Sequence, residues 1–479
     1  MAAGGRRTLL LIWALGLVCQ ALLISDKLDV TPARGLVFNE MLVRLLHGHF
    51  DLNPATIGDE AILSHGRTYA YFGVFCALLR LPLVLIGQTG LDITKSSILL
   101  ASAISLAARL AAVDLALGQA KGVTRPLRLV VLAGVAFGGE SLQYLRPSMY
   151  QEVCTWGSAL AAVFVWLLAR RLWDRQSGPQ RLYPAMAMMA GSALLCRVSF
   201  GLGLYGALGL VLLVEAWRAR RRLIALKLLA PAAMILTLFA GAAMGINAAR
   251  WDAPLTFVPF SQQLALVRHG DDRLQRLERT GMLDPQRIPF ALQYYFAPVW
   301  MLQDGRGRLL FQKTQLDLFD CVELPPSSLL LSDPVICLLA ALGLAAMARR
   351  RFDPQAAPLA GAALAGLACP LAVILSAISL SFRYRLDFYP ALDFAAVLGA
   401  ASLRLNPMRP PIPRFVALGA AGAAVAVAGL WANYNSPQGS ALDLDLRCGW
   451  TTPIRDVAAG RDPHIGHLLA NGRRTPRLR

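Results

Sequence analysis

Residues 349–385 read RRRFDPQAAPLAGAALAGLACPLAVILSAISLSFRYR. Within them, 357–379 is an apolar run of 23 residues without a single charge. At about 1.5 Å per residue a helix of that length crosses a hydrocarbon core of about 30 Å. Arg349, Arg350 and Arg351 stand before it, and Arg383 and Arg385 follow it. The stretch predicts a membrane-spanning helix with cations marking both ends.

The pattern recurs on both sides. Apolar runs lie at 8–24, 98–117, 127–144, 153–169, 184–198, 200–217, 224–246, 328–347, 388–404 and 414–432, eleven with the first. The pair across 184–217 could form a tight hairpin. A twelfth segment, 71–89, is interrupted by Arg80 and Pro82 and reads either as a span or as a half-inserted helix. Of 479 residues, 56% are hydrophobic and only 16% charged, too few to cover several soluble domains. The aliphatic runs exclude disorder. The expected fold class is an all-α polytopic membrane protein with about 11–12 transmembrane helices.

The net charge of +18 could signal nucleic acid, but its placement assigns it to topology. Basic clusters alternate with the spans: Arg6/Arg7, Lys121/Arg125/Arg128, Arg170/Arg171/Arg175/Arg181, Arg218/Arg220/Arg221/Arg222/Lys227, Arg349/Arg350/Arg351 and Arg404/Arg409/Arg414. Such clusters mark cytoplasmic loops, and all six fit one topology if 71–89 does not cross fully. The first run then reads as a retained anchor with a cytoplasmic N-terminus. A membrane-embedded domain over 1–432 is expected, with outer loops at 25–70 and 247–327, an outer turn at 380–387 and an outer C-terminal tail at 433–479. Abundant Ala, Leu and Gly, with arginine far exceeding lysine, suggest a GC-rich bacterial genome and hence the inner membrane. The lipid bilayer is the first partner, and nucleic-acid binding is not expected.

Six of the eight cysteines fall in or beside apolar segments, where Cys acts as a small hydrophobe. Cys321 and Cys448 lie in the two outer regions and could pair in an oxidising compartment. His47 and His49, and His464 and His467, could each offer two metal ligands, though loop histidines at such spacing are more often solvated.

Within the first outer loop, Leu36, Phe38, Met41, Leu42, Leu45 and Leu46 can share one face of a helix over 35–47, the pattern of a helix lying in the membrane interface. Asp29 precedes it. Glu40-Met41, Gly48-His49-Phe50, Pro54 and Gly66-Arg67-Thr68-Tyr69 follow in order. This arrangement resembles the first outer loop of the polytopic GT-C glycosyltransferases, in the protein-mannosyltransferase-like and aminoarabinose-transferase-like branches. The usual Asp-Glu pair is Asp29-Val30 here, and the tyrosine expected soon after it is absent. RPSMYQEVCTWG (146–157), the Asn-x-x-Arg-Trp-Asp stretch at 247–252 and RYRLDFYPALDFAA (383–396) resemble elements of bacterial members with unassigned acceptors.

The resemblance implies sugar transfer at the outer face, from a polyprenyl-phosphate-linked donor to an envelope glycan, lipid or protein. Such chemistry needs a base for the acceptor hydroxyl and positive charge for the departing phosphate, from arginine or a divalent metal. The expected base is Asp29, with Asp59 or Glu60 as the other candidates. Expected phosphate ligands are Arg383 and Arg385, with Tyr384 and Asp387 in the same turn, then Arg80 and Arg197. Arg67 and Tyr69 belong to the resembling motif, and Glu152 either orients the acceptor or pairs with Arg146. The competing readings are a lipid or glycan transporter or flippase, and a non-enzymatic envelope-assembly protein.

Overall fold

The computed structural model describes residues 3–25, 35–138, 147–174, 176, 178–219, 222–264, 271–297, 317–319, 321–322 and 328–404. They form a helical bundle, with four strands of two or three residues at its edges. Helix α1 runs Ala3–Ser25, α2 Val37–Leu46 and α3 Pro54–Ile57. Two short helices, α4 (Phe75–Leu78) and α5 (Leu81–Leu85), follow. Then come α6 (Thr94–Leu117), α7 (Arg125–Ala136), α8 (Met149–Trp173), α9 (Pro179–Cys196), α10 (Val198–Arg218) and α11 (Arg222–Trp251). The remaining helices are α12 (Asp271–Thr280), α13 (Ile288–Phe296), α14 (Leu329–Ser332), α15 (Pro334–Ala348), α16 (Ala357–Ser376) and α17 (Tyr389–Ser402).

Among the described residues, six helices are long and apolar enough to cross a bilayer: Arg6–Ile24, Thr94–Leu117, Met149–Trp173, Val198–Arg218, Leu229–Trp251 and Ala357–Ser376. The other apolar runs are shorter or divided. The run 328–347 breaks at Asp333 between α14 and α15, and α7 stops at Ala136. The expected run 414–432 and the tail 433–479 lie outside the described residues. The 71–89 segment divides around Arg80 into α4 and α5. Together Phe75–Leu85 reach about 16 Å, roughly half a hydrocarbon core.

α8 is the central helix, buried over most of its length, and packs on α6 and α9. α6 also carries α1 and α17, α10 packs on α16, and α15 on α17. α11 touches α9 and α10, and among the described residues only 6% of its spanning window is buried. Where α15 crosses α17 the backbones are in contact. A Cβ at Gly343 would stand 2.0 Å from the Ala395 carbonyl, and one at Gly399 1.9 Å from the Leu339 carbonyl. Small residues permit this approach, which substitutes for a hydrophobic drive that lipid cannot provide.

Buried charge ties the bundle together. Arg109 on α6 donates to Asp393 on α17 at 3.0 Å and stacks on Tyr389. Tyr389 donates to Asp333 at 2.5 Å, and Arg385 donates to Asp333 at 3.3 Å and to Ser332.

The first loop folds on this frame. α2 buries Phe38, Met41 and Leu42 of the expected face, together with Val37 and Asn39, while Leu46 is 57% exposed. Glu40 accepts from the Asn53 backbone N–H at 2.7 Å, and Asn53 caps α3, so Glu40 fixes the chain that follows α2. Strands β1 (Ile62–Ser64) and β2 (Arg67–Tyr69) pair antiparallel through His65 and Gly66, which have φ of 50° and 74°. A two-residue hairpin turn of this hand needs positive φ at both positions, which accounts for Gly66.

Candidate active site

Five parts of the chain meet around a cavity of about 100 Å³. They are Tyr71–Val74 after β2, Tyr150 and Val153 at the start of α8, and Cys196–Val198 where α9 meets α10. Asn247 and Arg250 at the end of α11, and Arg383 and Tyr384, complete the wall. The last two belong to a 3-10 helix, Phe382–Phe388, where the sequence predicts an outer turn. Arg197 alone joins α9 to α10, with extended backbone at φ −151° and ψ 121°. The break stops one helix, starts the next and turns the guanidinium toward the cavity.

The three cavity arginines have different partners. Arg197 donates to both oxygens of Asp387, at 3.3 and 3.0 Å, and stacks over Tyr384 at 4.8 Å. Ser199 also donates to Asp387. Arg383 lies over the Tyr150 ring at 4.8 Å and the Tyr384 ring at 5.2 Å. Arg250 is 4% exposed. It donates to the Phe72 carbonyl at 3.0 Å and approaches the Met41 sulfur at 3.9 Å, while its Nε has no hydrogen-bond partner. Among the described residues it forms no ion pair. A buried guanidinium facing only a carbonyl and a thioether lacks the counter-charge such a group demands.

Behind Tyr71 sits a carboxylate. Tyr71 donates to Glu60 Oε2 at 3.0 Å, and Gln263 donates to the same oxygen at 3.2 Å. Burial, with Glu60 close by, pushes the Tyr71 phenol well above its usual 10, so it stays protonated as the donor. Glu60 is 4% exposed, and among the described residues no donor occupies Oε1. The site thus places cations on one wall and, one phenol away, a carboxylate with a free acceptor oxygen.

The chain is similar to several solved structures at low sequence identity. One solved structure is the oligosaccharyltransferase AglB from Archaeoglobus fulgidus, in complex with an inhibitory peptide and a dolichol-phosphate. It is 14% identical with a TM-score of 0.46, over 94% of this chain and 61% of that one. Another is ArnT from Cupriavidus metallidurans bound to undecaprenyl phosphate, 13% identical with a TM-score of 0.45, over 100% of this chain and 82% of that one. The chain therefore spans about three fifths of the archaeal protein it matches. No family model and no curated protein matches the sequence.

The predicted residues divide in this frame. Arg197, Arg383 and Tyr384 line the cavity, and Glu60 lies behind it. Asp59 is buried beside Glu60. Four expectations are corrected. Arg80 is not available to a phosphate: its fork is bonded to Glu152, and both side chains have no exposed surface. Glu152 pairs with Arg80, and Arg146 lies outside the described residues. Arg385 is 2% exposed and faces Asp333 and Ser332. Asp387, expected beside the phosphate ligands of its turn, is bonded to Arg197. Arg67 is exposed, 3.9 Å from Asp51, and Tyr69 packs edge-on against Trp251 at 5.7 Å, so both serve the hairpin and neither lines the cavity.

Asp29 and Cys448 lie outside the described residues, so neither the favoured base nor the Cys321–Cys448 pairing is placed. Among the described residues, no group of three or more His, Cys, Asp or Glu side chains is set to hold a metal ion. Sequence reasoning missed Arg250, Tyr71 and Tyr150. For Arg250 a signal exists: it is the lone cation closing a 23-residue apolar helix, Leu229–Trp251, and it falls in the Asn-x-x-Arg-Trp-Asp stretch.

Proposed function

We propose that the chain is a membrane glycosyltransferase that moves a sugar from a polyprenyl-phosphate-linked donor to an acceptor hydroxyl at the outer face of a bacterial inner membrane. The observation that carries this reading is Arg250: a buried cation without a described counter-ion, on a cavity wall shared with Arg197 and Arg383. A donor phosphate would supply the missing negative charge through charge-assisted hydrogen bonds. Arg383 and Arg197, stacked on tyrosines, would hold the charge that develops as the sugar–phosphate bond breaks. The acceptor oxygen attacks the anomeric carbon, its proton passes to a carboxylate, and the polyprenyl phosphate departs. Glu60, one phenol from the cavity, is the carboxylate we favour for that proton, with Asp29 and Asp59 as the other candidates. In the first loop Glu40 holds the Asn53 backbone, and Met41 beside it lies against Arg250.

Titration of purified protein in nanodiscs with a polyprenyl monophosphate tests the reading. Saturable binding is expected for the wild type. Arg250→Leu should weaken it by about 10- to 150-fold, the equivalent of a lost charge-assisted bond of about 1.5–3 kcal/mol. Arg250→Lys should recover part of the loss. Equal binding by wild type and Arg250→Leu would place the phosphate elsewhere.

A further inference from the structure

Away from the cavity another arginine is wholly buried. Arg287 ends the 3-10 turn Pro285–Arg287 and has no exposed surface. A guanidinium carries five N–H donors, and five acceptors surround this one. Nε donates to the Leu318 carbonyl at 2.8 Å. Nη1 donates to the carbonyls of Met282 at 3.0 Å and Ser376 at 3.1 Å. Nη2 donates to Thr280 Oγ1 at 2.5 Å and the Gly281 carbonyl at 3.0 Å. None of the five is a carboxylate; Asp284, three residues earlier, is the nearby negative charge but takes none of the fork's bonds. The guanidinium's distinguishing property is the rigid, forked geometry that fastens separate strands of backbone.

Those strands lead to the cavity. Ser376 is the last residue of α16, and its carbonyl also accepts from the Asp284 N–H at 2.9 Å. Leu283 bridges to Ala377, and strand β3 (Cys321–Val322) pairs with β4 (Ser379–Leu380). Phe382–Phe388 begins two residues after β4 and carries Arg383, Tyr384 and Asp387. At its far end Phe388 packs on Tyr295 at 4.9 Å and on Phe296 at 5.7 Å, and Tyr295 donates to the Ser381 carbonyl at 3.4 Å. Residues 280–296 therefore grip the arginine-bearing segment at both ends. That segment has no side-chain cap of its own, and a 3-10 helix of seven residues is weak in isolation.

We propose that Arg287 is a positioning residue: by fastening 280–282, 318 and 376 together it sets the placement of Phe382–Phe388, and with it Arg383 and Tyr384 on the cavity wall. The consequence for lipid binding rests on the phosphate-site reading; the positioning itself does not. The test is hydrogen exchange on the full chain in nanodiscs, with α6 and α8 peptides as internal references, alongside polyprenyl monophosphate titration. In Arg287→Gln, amides of 382–388 should exchange about tenfold faster while the references hold, and the lipid-phosphate Kd should rise by about the same factor. Arg287→Lys should fall between, since an ammonium offers three donors without the fork. Thr280→Val removes one acceptor and serves if Arg287→Gln does not fold; about twofold faster exchange over 382–388 is expected. Unchanged exchange there in a folded variant overturns the proposal. Faster exchange in a protein whose wild type binds no polyprenyl phosphate leaves the positioning intact and removes the functional reading.

Discussion

Arg197 and Asp387 are 190 residues apart in the chain and 3.0 Å apart in the fold. The first occupies the break between α9 and α10; the second lies in the 3-10 helix that bears Arg383 and Tyr384. The pair therefore locks the two sides of the cavity to each other. Asp387→Asn keeps an oxygen for Ser199 but loses the charge that holds Arg197. Polyprenyl monophosphate binding should weaken about tenfold, one pK unit's worth of interaction. Asp387→Ala should weaken it further. Binding at wild-type strength in both variants would show that Arg197 needs no such orientation.

Glu60→Gln preserves the acceptor for Tyr71 and removes the proposed base. Turnover should fall by about 10²–10⁴ with donor binding unchanged. The same pair of measurements on Asp29→Asn and Asp59→Asn separates the three carboxylates. Any whose amide retains wild-type turnover is not the base.

The Arg80–Glu152 pair has no exposed surface on either side chain, and Asn39, Ser97 and Cys76 add to its bonds. Removing one partner strands a buried charge. Arg80→Met or Glu152→Met alone should cost about 3–5 kcal/mol, and the double substitution much less. Thermal unfolding in detergent reads this directly. Additive losses would show that the pair is not coupled.

At the α15–α17 crossing, Gly399→Ala places a methyl 1.9 Å from a carbonyl oxygen. The helices must separate. A drop in midpoint of several degrees is expected, equivalent to about 1–3 kcal/mol. Ala at Gly209, where no atom lies within 4 Å, should be neutral.

The six long spans were legible because lipid imposes a length and makes charge costly, and both can be counted along a chain. The amphipathic α2 was legible for a similar reason: its face repeats every turn. What could not be read is which charge meets which. Arg80 finds Glu152 at a separation of 72 residues and Arg109 finds Asp393 at 284. Local sequence shows that each charge is expensive, not what relieves it. For that reason Arg80 read as a phosphate ligand and proved a structural pair. Arg67 and Tyr69 read as site residues because their motif carries the glycine of a hairpin turn. The Asn247–Asp252 stretch, by contrast, ties α11 to the first loop through Arg250, Trp251 and Asp252, contacts that no periodicity announces.

α11 stands at the rim of the described bundle with little of its span buried, and its last turn forms part of the cavity wall. A ligand with a long hydrocarbon tail can lie along that helix while its head enters the cavity sideways. Encounter then takes place in two dimensions. Occupancy would follow the ligand's mole fraction among the surrounding lipids rather than its molarity in water. Diluting the bilayer with inert phospholipid at fixed bulk concentration should empty the site, and crowding the same molecules into fewer lipids should fill it.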